Sequence, residues 1–491
     1  MGKLSPTKEP QAKDAYDLIN FSDKYPPKGC KMMAEGGRCL IGVDVGTTAV
    51  KSVAVDECCE LLAEARLPLT LFSPSRGIFT HDAGEIRDKV FESLRLVMRN
   101  LEKRRVEAVG VTGQSVSLVL LDKSGNPVYP VLSHLDNRAD LAAMGLENSL
   151  GKMGYIGRKL VGNLAWLKKH EPNVFEKVSK VLDMKEYVGY LLTGRSSVDK
   201  LWFMVEDLER LCLDAGINPS LLGEVMSYSD VLGYVDDKAA ERAGLKRGVP
   251  VVVALGDSLA AMIGSGAVEE GDMVDVAGAT EVMAMLVKEK TPHSYPSYIS
   301  GLNMISISPP LGLIHKWLVE KISPNSDYMA FERLAEDASP GSDGLMFVAQ
   351  GSKTMKDVEA SLVSLSFCHG WNHVARSFFE AVAYELRRVV EIFEQVTKVR
   401  RIVSSGGGAT RFVTKLKATV VGKPFQIPKI RETAALGAAL TAATATGLFK
   451  NLAEAASSVK IAETIHGENQ PIYDELYRQY LASKNRLGAD F

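Results

Sequence analysis

Residues 39–56 read CLIGVDVGTTAVKSVAVD, and this stretch decides the fold. Apolar and β-branched residues run on both sides of Gly46-Thr47-Thr48, which predicts two strands joined as a hairpin. Such a turn points backbone N–H groups into a concavity that can hold phosphate, and the threonine hydroxyls add donors. Asp44 at the first strand's end suits Mg²⁺ bound through water, and Lys51 adds positive charge. A plain hairpin with a polar tip is the alternative.

The same pattern recurs in the second half of the chain. Residues 273–276 and 281–287 are apolar runs on either side of Gly278-Ala279-Thr280. Because 491 residues exceed one core of ordinary size, this loose repeat predicts two related α/β domains around a cleft. We predict a flexible extension at 1–38, an N-terminal domain at 39–266 and a C-terminal domain at 267–491.

One aspartate stands where a strand meets a helix. The apolar run at 251–255 ends at Gly256-Asp257, and small residues with helical character follow at once. Asp257 can cap that helix, as aspartate often does. It can also be the general base of a phosphoryl transfer, which needs a carboxylate near the acceptor hydroxyl. The residue alone leaves both readings open.

A glycine-rich segment follows a short predicted strand at 401–404. It reads Ser405-Gly406-Gly407-Gly408-Ala409, and glycines there let a flat ring or an α-phosphate lie against the backbone. An ordinary loop is the alternative. The chain has no GxxxxGK[ST] motif, which argues against a P-loop ATPase.

Apolar spacing predicts the other elements. The predicted segments are strands at 60–68 and 106–111, a hairpin at 117–132, and helices at 84–102, 163–169, 185–192, 374–396 and 434–444.

Composition excludes several classes of function. A formal net charge of −2 argues against a nucleic-acid-binding surface, and no apolar run reaches the roughly 20 residues that span a bilayer. Six scattered cysteines show no CxxC spacing, which predicts free thiols in a reducing compartment, hence a cytoplasmic protein.

In this order, the elements resemble the FGGY carbohydrate kinase family. Residues 42–51 match its first phosphate motif, Gly256-Asp257 its catalytic pair, and Gly278 to Thr280 its second phosphate motif. Residues 134–138 match its W-x-D-x-R sugar segment, with His134 in place of tryptophan, and 405–409 and 435–439 match its adenosine region. The resemblance implies two actin-like, ribonuclease H-like ATPase domains flanking a cleft.

It also implies the chemistry: ATP with Mg²⁺ phosphorylates a small sugar, polyol or sugar acid, with a pentulose such as xylulose as the first choice. Asp257 would be the general base and, with Asp44, a metal ligand. A homodimer is compatible with the family. The implied cofactor-binding residues are Gly46, Thr47, Thr48, Lys51, Gly278, Thr280, Gly406, Gly407, Gly408 and Ala409, and the implied substrate-binding residues are Gln114, Ser115, Asp136, Arg138 and Asp257.

The chain departs from the family at ligand-facing positions. Ser115-Val116 stands where glycerol kinases have Arg-Glu and typical xylulokinases have Met-His, and Ala279 replaces a common threonine. Three alternatives follow: a catalytically weak or regulatory member, an ATPase acting on another protein, and an ordinary surface ion pair at Asp136 and Arg138. Retention of both Asp44 and Asp257 favours an active kinase.

Overall fold

The computed structural model describes residues 37–75, 77–101, 104–139, 155–205, 207–324, 327–351 and 358–488. The predicted N-terminal extension lies outside them except for its last two residues, and Arg38 already begins the first strand. No helix in these ranges is long and apolar enough to cross a membrane.

The first half of the chain is mixed α/β. Its strands are β1 Arg38–Val45, β2 Ala49–Asp56, β3 Leu61–Pro68, β4 Thr80–His81, β5 Arg105–Gly113, β6 Val119–Leu121, β7 Val131–Leu132, β8 Lys180–Leu182, β9 Ser197–Asp199, β10 Glu224–Met226, β11 Val231–Tyr234 and β12 Pro250–Val253. Its helices are α1 Ala83–Arg99, α2 Tyr155–His170, α3 Pro172–Phe175, α4 Met184–Thr193, α5 Lys200–Val205, α6 Leu208–Asp214, α7 Asp237–Ala243 and α8 Asp257–Gly264.

The second half has a similar composition of elements. Its strands are β13 Asp272–Ala277, β14 Glu281–Val287, β15 Tyr295–Pro296, β16 Asn303–Ile307, β17 Met346–Gly351, β18 Val358–Val363, β19 Arg401–Ser405, β20 Phe425–Pro428 and β21 Ile461–Ile465. Its helices are α9 Leu311–Trp317, α10 Tyr328–Glu336, α11 Trp371–Phe393, α12 Arg411–Val421, α13 Thr433–Ala445, α14 Leu452–Ser457 and α15 Ile472–Leu487.

The two large sheets share one topology. The first runs β3-β2-β1-β5-β12-β11, with β5 parallel to both β1 and β12 and the other neighbours antiparallel. The second runs β16-β14-β13-β19-β20-β21, again with its third, fourth and fifth strands parallel, and adds β15 at one edge. The predicted repeat of the opening motif is therefore part of a duplication of the whole sheet, and the predicted fold class is confirmed.

Alternate residues of β1 lie on opposite faces of the first sheet, and each face packs against a different set of helices. Ile41, Val43 and Val45 belong to a buried cluster with α1 and α4, whereas Leu40 joins a second cluster that contains α8 and α13. Val274 of the second sheet belongs to that same cluster. The helices α8 and α13 therefore lie between the two sheets and join the halves of the molecule.

Glycines let backbone meet backbone at this junction. A methyl group added at Gly42 would lie 1.8 Å from the Ala435 carbonyl oxygen, and one added at Gly437 would lie 1.8 Å from the Ala260 carbonyl oxygen. No side chain fits at such distances. The glycines thus fix how closely α13 approaches both β1 and α8.

Most predicted elements agree with the structure to within a few residues. The helix predicted at 84–102 is Ala83–Arg99, that at 374–396 is Trp371–Phe393, and that at 434–444 is Thr433–Ala445. The helix predicted at 163–169 was too short, because α2 already begins at Tyr155.

The prediction for the cysteines needs a correction. Cys39, Cys59, Cys212 and Cys368 are free thiols, as predicted. Cys58 is not, because it is disulfide-bonded. Its sequence neighbour Cys59 is not the partner, because Cys59 is a free thiol. Cys30 lies outside the described residues.

Candidate active site

The turn between β1 and β2 carries a buried carboxylate. Gly46 N donates to the Ala49 carbonyl oxygen at 3.0 Å and closes the turn, while Asp44 and Lys51 face each other across the two strands. Asp44 is 2% exposed, and Lys51 Nζ lies 3.3 Å from its Oδ2 atom. Burial raises the pKa of Asp44, and the Lys51 charge opposes that rise. Thr47 is buried at the turn and Thr48 is half-buried.

Asp44 retains capacity for a further partner. Its Oδ1 atom is buried and accepts no hydrogen bond from the residues that the structure describes. A bare buried carboxylate oxygen is costly, so a cation or its water shell at this position would satisfy it. Among the residues that the structure describes, no group of three or more histidine, cysteine, aspartate or glutamate side chains could hold a metal ion by itself. A Mg²⁺ ion, which keeps several waters and few protein ligands, fits such a place.

Asp257 opens α8 but is not its capping residue. Gly256 occupies the N-cap position, so Asp257 is the first residue of the helix and not its N-cap. Asp257 Oδ1 accepts hydrogen bonds from Ser115 Oγ at 3.3 Å and from its neighbour Ser258 N at 2.9 Å. Burial and the nearby Asp44 charge raise the pKa of Asp257 to about 6. The carboxylates of Asp44 and Asp257 are therefore close enough to interact electrostatically.

The segment before Asp257 is tightly fitted to Ser115. A methyl group at Gly256 would lie 2.4 Å from Ser115 Oγ, so only glycine allows this contact. Val116, the next residue along, has φ +55, which is unfavourable for a β-branched side chain. Asp183 compensates by accepting from Val116 N at 3.0 Å and Ser117 N at 2.8 Å. Strain held in this way is common beside functional sites.

Gln114 lies in a buried polar chain next to Ser115. Its Nε2 atom donates to His81 Nε2 at 3.2 Å, and its Oε1 atom accepts from His134 Nδ1 at 3.1 Å. His81 Nδ1 in turn donates to the Thr70 carbonyl oxygen at 2.8 Å. Burial lowers the pKa of His134 to about 3, so its ring is neutral. These partners fix which end of the Gln114 amide donates.

Asp136 and Arg138 bind each other within the protein. Arg138 donates to both carboxylate oxygens, at 2.8 Å and 2.7 Å, and the Phe79 backbone N–H donates to Asp136 Oδ2 at 2.9 Å. The Arg138 guanidinium also lies over the rings of Tyr129 and Trp166. Asp136 is 1% exposed, so the surface ion-pair alternative is wrong. The pair fixes the chain segment that follows His134. Direct contact of either side chain with a ligand stays a prediction.

The second hairpin and the glycine loop meet at the end of the second sheet. Gly278 is exposed in its turn beside the half-buried Thr280. Gly406 has φ +86, and Gly408 N donates to the Ala277 carbonyl oxygen at 3.1 Å, one residue before Gly278. The buried Ala409 closes this loop by donating from its N–H to the Gly406 carbonyl oxygen. The two predicted nucleotide motifs of this half are therefore neighbours.

Sequence reasoning missed residues that the fold brings to this cleft. His81 was not selected, although it is a buried histidine bonded to Gln114. Helix α9 was also missed: Gly312 packs against the Gly278 carbonyl oxygen, where an added methyl group would lie 1.8 Å away. One turn further on, the charge of Lys316 adds to the burial that lowers the pKa of His81. Helix α9 therefore lies against the second hairpin and near the Gln114 chain.

Comparison with known proteins agrees with this arrangement. Two family models match: the N-terminal domain of the FGGY family of carbohydrate kinases over residues 39–264, and its C-terminal domain over residues 311–446. A xylulose kinase of Staphylococcus epidermidis is 25% identical over 483 residues, which cover 90% of this chain and 96% of that protein. A gluconokinase of Bacillus licheniformis is 22% identical, with 83% and 88% covered.

Solved structures share the fold. The crystal structure of xylulose kinase from Rhodospirillum rubrum has a TM-score of 0.72 at 26% identity and covers 92% of this chain and 99% of its own. That of gluconate kinase from Lactobacillus acidophilus has a TM-score of 0.76 at 20% identity, with 93% and 99% covered. The chain belongs to the FGGY family of carbohydrate kinases, phosphotransferases that act on sugar hydroxyls.

Proposed function

We propose that the protein transfers the terminal phosphoryl group of ATP to one hydroxyl of a small sugar, polyol or sugar acid in this cleft. A pentulose such as xylulose is the first candidate, since several relatives of similar length are named xylulose kinases. The observation that carries the proposal is the placement of Asp257 within reach of both Ser115 and the charge of Asp44.

Asp257 is the general base of the proposed reaction. A carboxyl group with a pKa of about 6 is mostly ionised at neutral pH, yet it is basic enough to accept a proton as the acceptor hydroxyl attacks. In this proposal the acceptor hydroxyl lies beside Ser115, which donates a hydrogen bond to Asp257.

The two hairpin turns bind the phosphates in this proposal. Gly46, Thr47 and Thr48 donate from the first turn, with Lys51 behind them, and Gly278 and Thr280 act from the second. Mg²⁺, held through water by Asp44 and Asp257, would supply positive charge to the phosphate oxygens. Residues 406–409 border the adenosine.

The side chains around Gln114 in the proposed acceptor pocket are polar and uncharged. Gln114, Ser115 and neutral His134 supply hydrogen-bonding groups suited to hydroxyls. Asp136 and Arg138, which are hydrogen-bonded to each other, act in this proposal by fixing the chain segment that follows His134. A pocket of this kind favours a neutral polyhydroxylated acceptor such as a pentulose.

Release of ADP with a panel of pentuloses, hexuloses, polyols and sugar acids tests the proposal. At least one acceptor should give turnover in the wild-type protein, and Asp257→Asn should lower kcat by about 10² to 10⁴. Binding of ADP, measured by calorimetry, should stay close to wild type in that variant. Full activity of Asp257→Asn would remove Asp257 as the base.

The same panel separates the enzyme from a regulatory member of the family. A regulatory protein would be stabilised against heat by a sugar or a nucleotide without phosphorylating any compound. Stabilisation with no turnover across the whole panel would therefore overturn the proposed activity in favour of that second function.

A further inference from the structure

One carboxylate from the second half of the chain holds two cations of the first half. Glu432, immediately before α13, lies 3.3 Å from Lys51 Nζ and 2.8 Å from Arg66 Nη1. Lys51 and Arg66 are direct partners on the neighbouring strands β2 and β3. Like charges placed opposite each other repel, so this pair requires a compensating anion. Asp44 compensates Lys51 alone, whereas Glu432 compensates both cations from the second half of the chain.

The charges of this group act strongly on one another. Although burial alone would raise the pKa of Glu432, the charges of Lys51 and Arg66 hold that pKa below its ordinary value. The side chains of Glu432 and Lys51 are 17% and 20% exposed, whereas that of Arg66 is 42% exposed. Arg66 donates to Glu432 through Nη1, and its Nη2 atom makes no hydrogen bond to the residues that the structure describes.

Arg66 also lies close to the glycine loop at residues 405–409. A methyl group added at Gly407 would lie 3.5 Å from Arg66 Nη2 and 3.8 Å from Nη1. The cation therefore lies near Gly407, an exposed glycine of the loop that the proposed function gives to the nucleotide. A guanidinium beside backbone N–H groups is a favourable place for a phosphate oxygen, because its fork of donors matches phosphate geometry.

We propose that Arg66 is a further nucleotide-binding residue, which contacts a phosphate of ATP next to Gly407, and that Glu432 positions it together with Lys51. This inference rests on the proposed function, since it takes the loop at 406–409 as the nucleotide site. It adds a phosphate ligand from the first half of the chain to a site otherwise built from the second. The bound phosphate would then be held from both sides of the cleft.

Calorimetric binding of ADP and of adenosine, without any sugar, tests the inference. Arg66→Ala should weaken ADP binding by about tenfold or more, as expected for a lost charged hydrogen bond, and should leave adenosine binding nearly unchanged. Arg66→Lys should recover part of the loss, because it keeps the charge. Glu432→Gln should weaken ADP binding and raise KM for ATP more than it lowers kcat.

A second cross-domain ion cluster provides the matched control. Glu60 of the first half binds Lys429 at 2.5 Å and also Lys460, both in the second half, and it lies outside the proposed site. Glu60→Gln removes one carboxylate between two cations, as Glu432→Gln does. It should lower the melting temperature at most and leave ADP affinity unchanged.

Each outcome bears on a distinct claim. If Arg66→Ala binds ADP as tightly as wild type, or loses adenosine affinity equally, Arg66 does not contact phosphate and the inference is overturned. If Glu60→Gln weakens ADP binding as much as Glu432→Gln, the two clusters only hold the halves together, which also overturns the positioning role. Failure of the wild-type protein to bind ADP at all would instead overturn the proposed function.

Discussion

At the scale of single residues, the cleft places two aspartates close enough for one to change the titration of the other. Asp257 has a pKa of about 6 because it is buried and because Asp44 is nearby. As the proposed base must be ionised, kcat/KM should fall as the pH drops below the pKa of Asp257, which a Mg²⁺ ion beside it would set at or below about 6. A pH–rate profile with saturating Mg·ATP checks this. An acid limb centred above about pH 7 would contradict it.

Replacing Ser115 tests the same assignment, because it should shift the pKa of Asp257. Its hydroxyl stabilises the ionised form of Asp257, so Ser115→Ala should move the acid limb of the profile to higher pH. The plateau rate is expected to fall as well, because Ser115 lies beside the acceptor. An acid limb that stays in place, or moves to lower pH, would show that another group controls it.

Asp257 should also reduce the stability of the fold above about pH 6. Its pKa is higher in the folded chain than its ordinary value of 3.8, so raising the pH ionises it more readily in the unfolded state. Asp257→Asn should therefore melt at or above the wild-type temperature at pH 8, and the difference should shrink towards pH 4. Thermal melts across that range measure it. A lower melting temperature at pH 8 would indicate that Asp257 is mainly structural.

The sequence identified Asp44, Gln114 and Asp257 but not His81 or Lys316. The first three stand at strand ends in recognisable motifs, where local pattern carries the information. His81 and Lys316 reach the same cleft from a short strand and from a helix of the other half, and only the folded chain brings those segments together. The sequence suggested an ion pair of Asp136 and Arg138 only at the surface, because its burial depends on contacts with Phe79 and Trp166.

At the scale of elements, helix α13 depends on the absence of one side chain. Gly437→Ala would push a methyl group against the Ala260 carbonyl oxygen, a backbone atom that cannot move by itself. We expect a loss of about 1–3 kcal/mol or more in the free energy of unfolding. Because α13 begins next to Glu432, KM for ATP should rise too. Urea unfolding and steady-state kinetics measure the two effects.

Gly189→Ala is the matched control for that substitution. Gly189 also lies within a helix, α4, but its added methyl group would meet only the ends of the Leu232 and Val253 side chains, at 2.7 Å and 2.9 Å. Those ends can rotate, so the loss should be smaller and KM for ATP should not change. Equal effects of the two substitutions would refute the role given to the close backbone contact.

Periodicity predicted the long elements well and one helix poorly. Helices α11 and α13 have continuous apolar patterns, and their bounds were predicted to within three residues. In α2, Gly157 and Gly162 weaken the local helix signal, so only its second half was predicted. Burial of Leu160 and Val161 stabilises the first half, and local spacing does not reveal tertiary packing of this kind.

At the scale of the whole molecule, the second half is tied together by a buried lysine. Lys417 on α12 contacts Asp275 Oδ2 at 2.8 Å and also binds Glu281, so two strands and a helix share one charge cluster. Lys417→Met leaves both carboxylates without their cation and should cost about 3–5 kcal/mol. Chemical denaturation at pH 7 measures the loss.

Lys415→Met on the same helix is the control. Lys415 binds Glu468 in a pair whose side chains are both 52% exposed, and such pairs contribute about 0–1 kcal/mol. A loss at Lys417 no larger than that at Lys415 would mean that the buried cluster rearranges or takes up protons at little cost.

The sequence predicted two halves from one repeated turn, and the structure shows that the repeat extends to whole sheets. The turn was visible because it is local, whereas the parallel order of β19 and β20 beside β13 depends on pairing between segments far apart in the chain. The division of the chain at residue 266 stays a prediction. Helix α8, which the division assigns to the first half, contributes to the cluster shared with the second.

The glycine junction between α8 and α13 has a consequence for any attempt to divide the molecule. Each half contributes one helix to a shared interior, and each helix is shaped to fit bare backbone of the other half. A fragment ending near residue 266 would carry an apolar surface with no partner to cover it. Two such fragments, expressed separately, should aggregate until they are mixed. The protein should therefore fold from two pieces only when both are produced together.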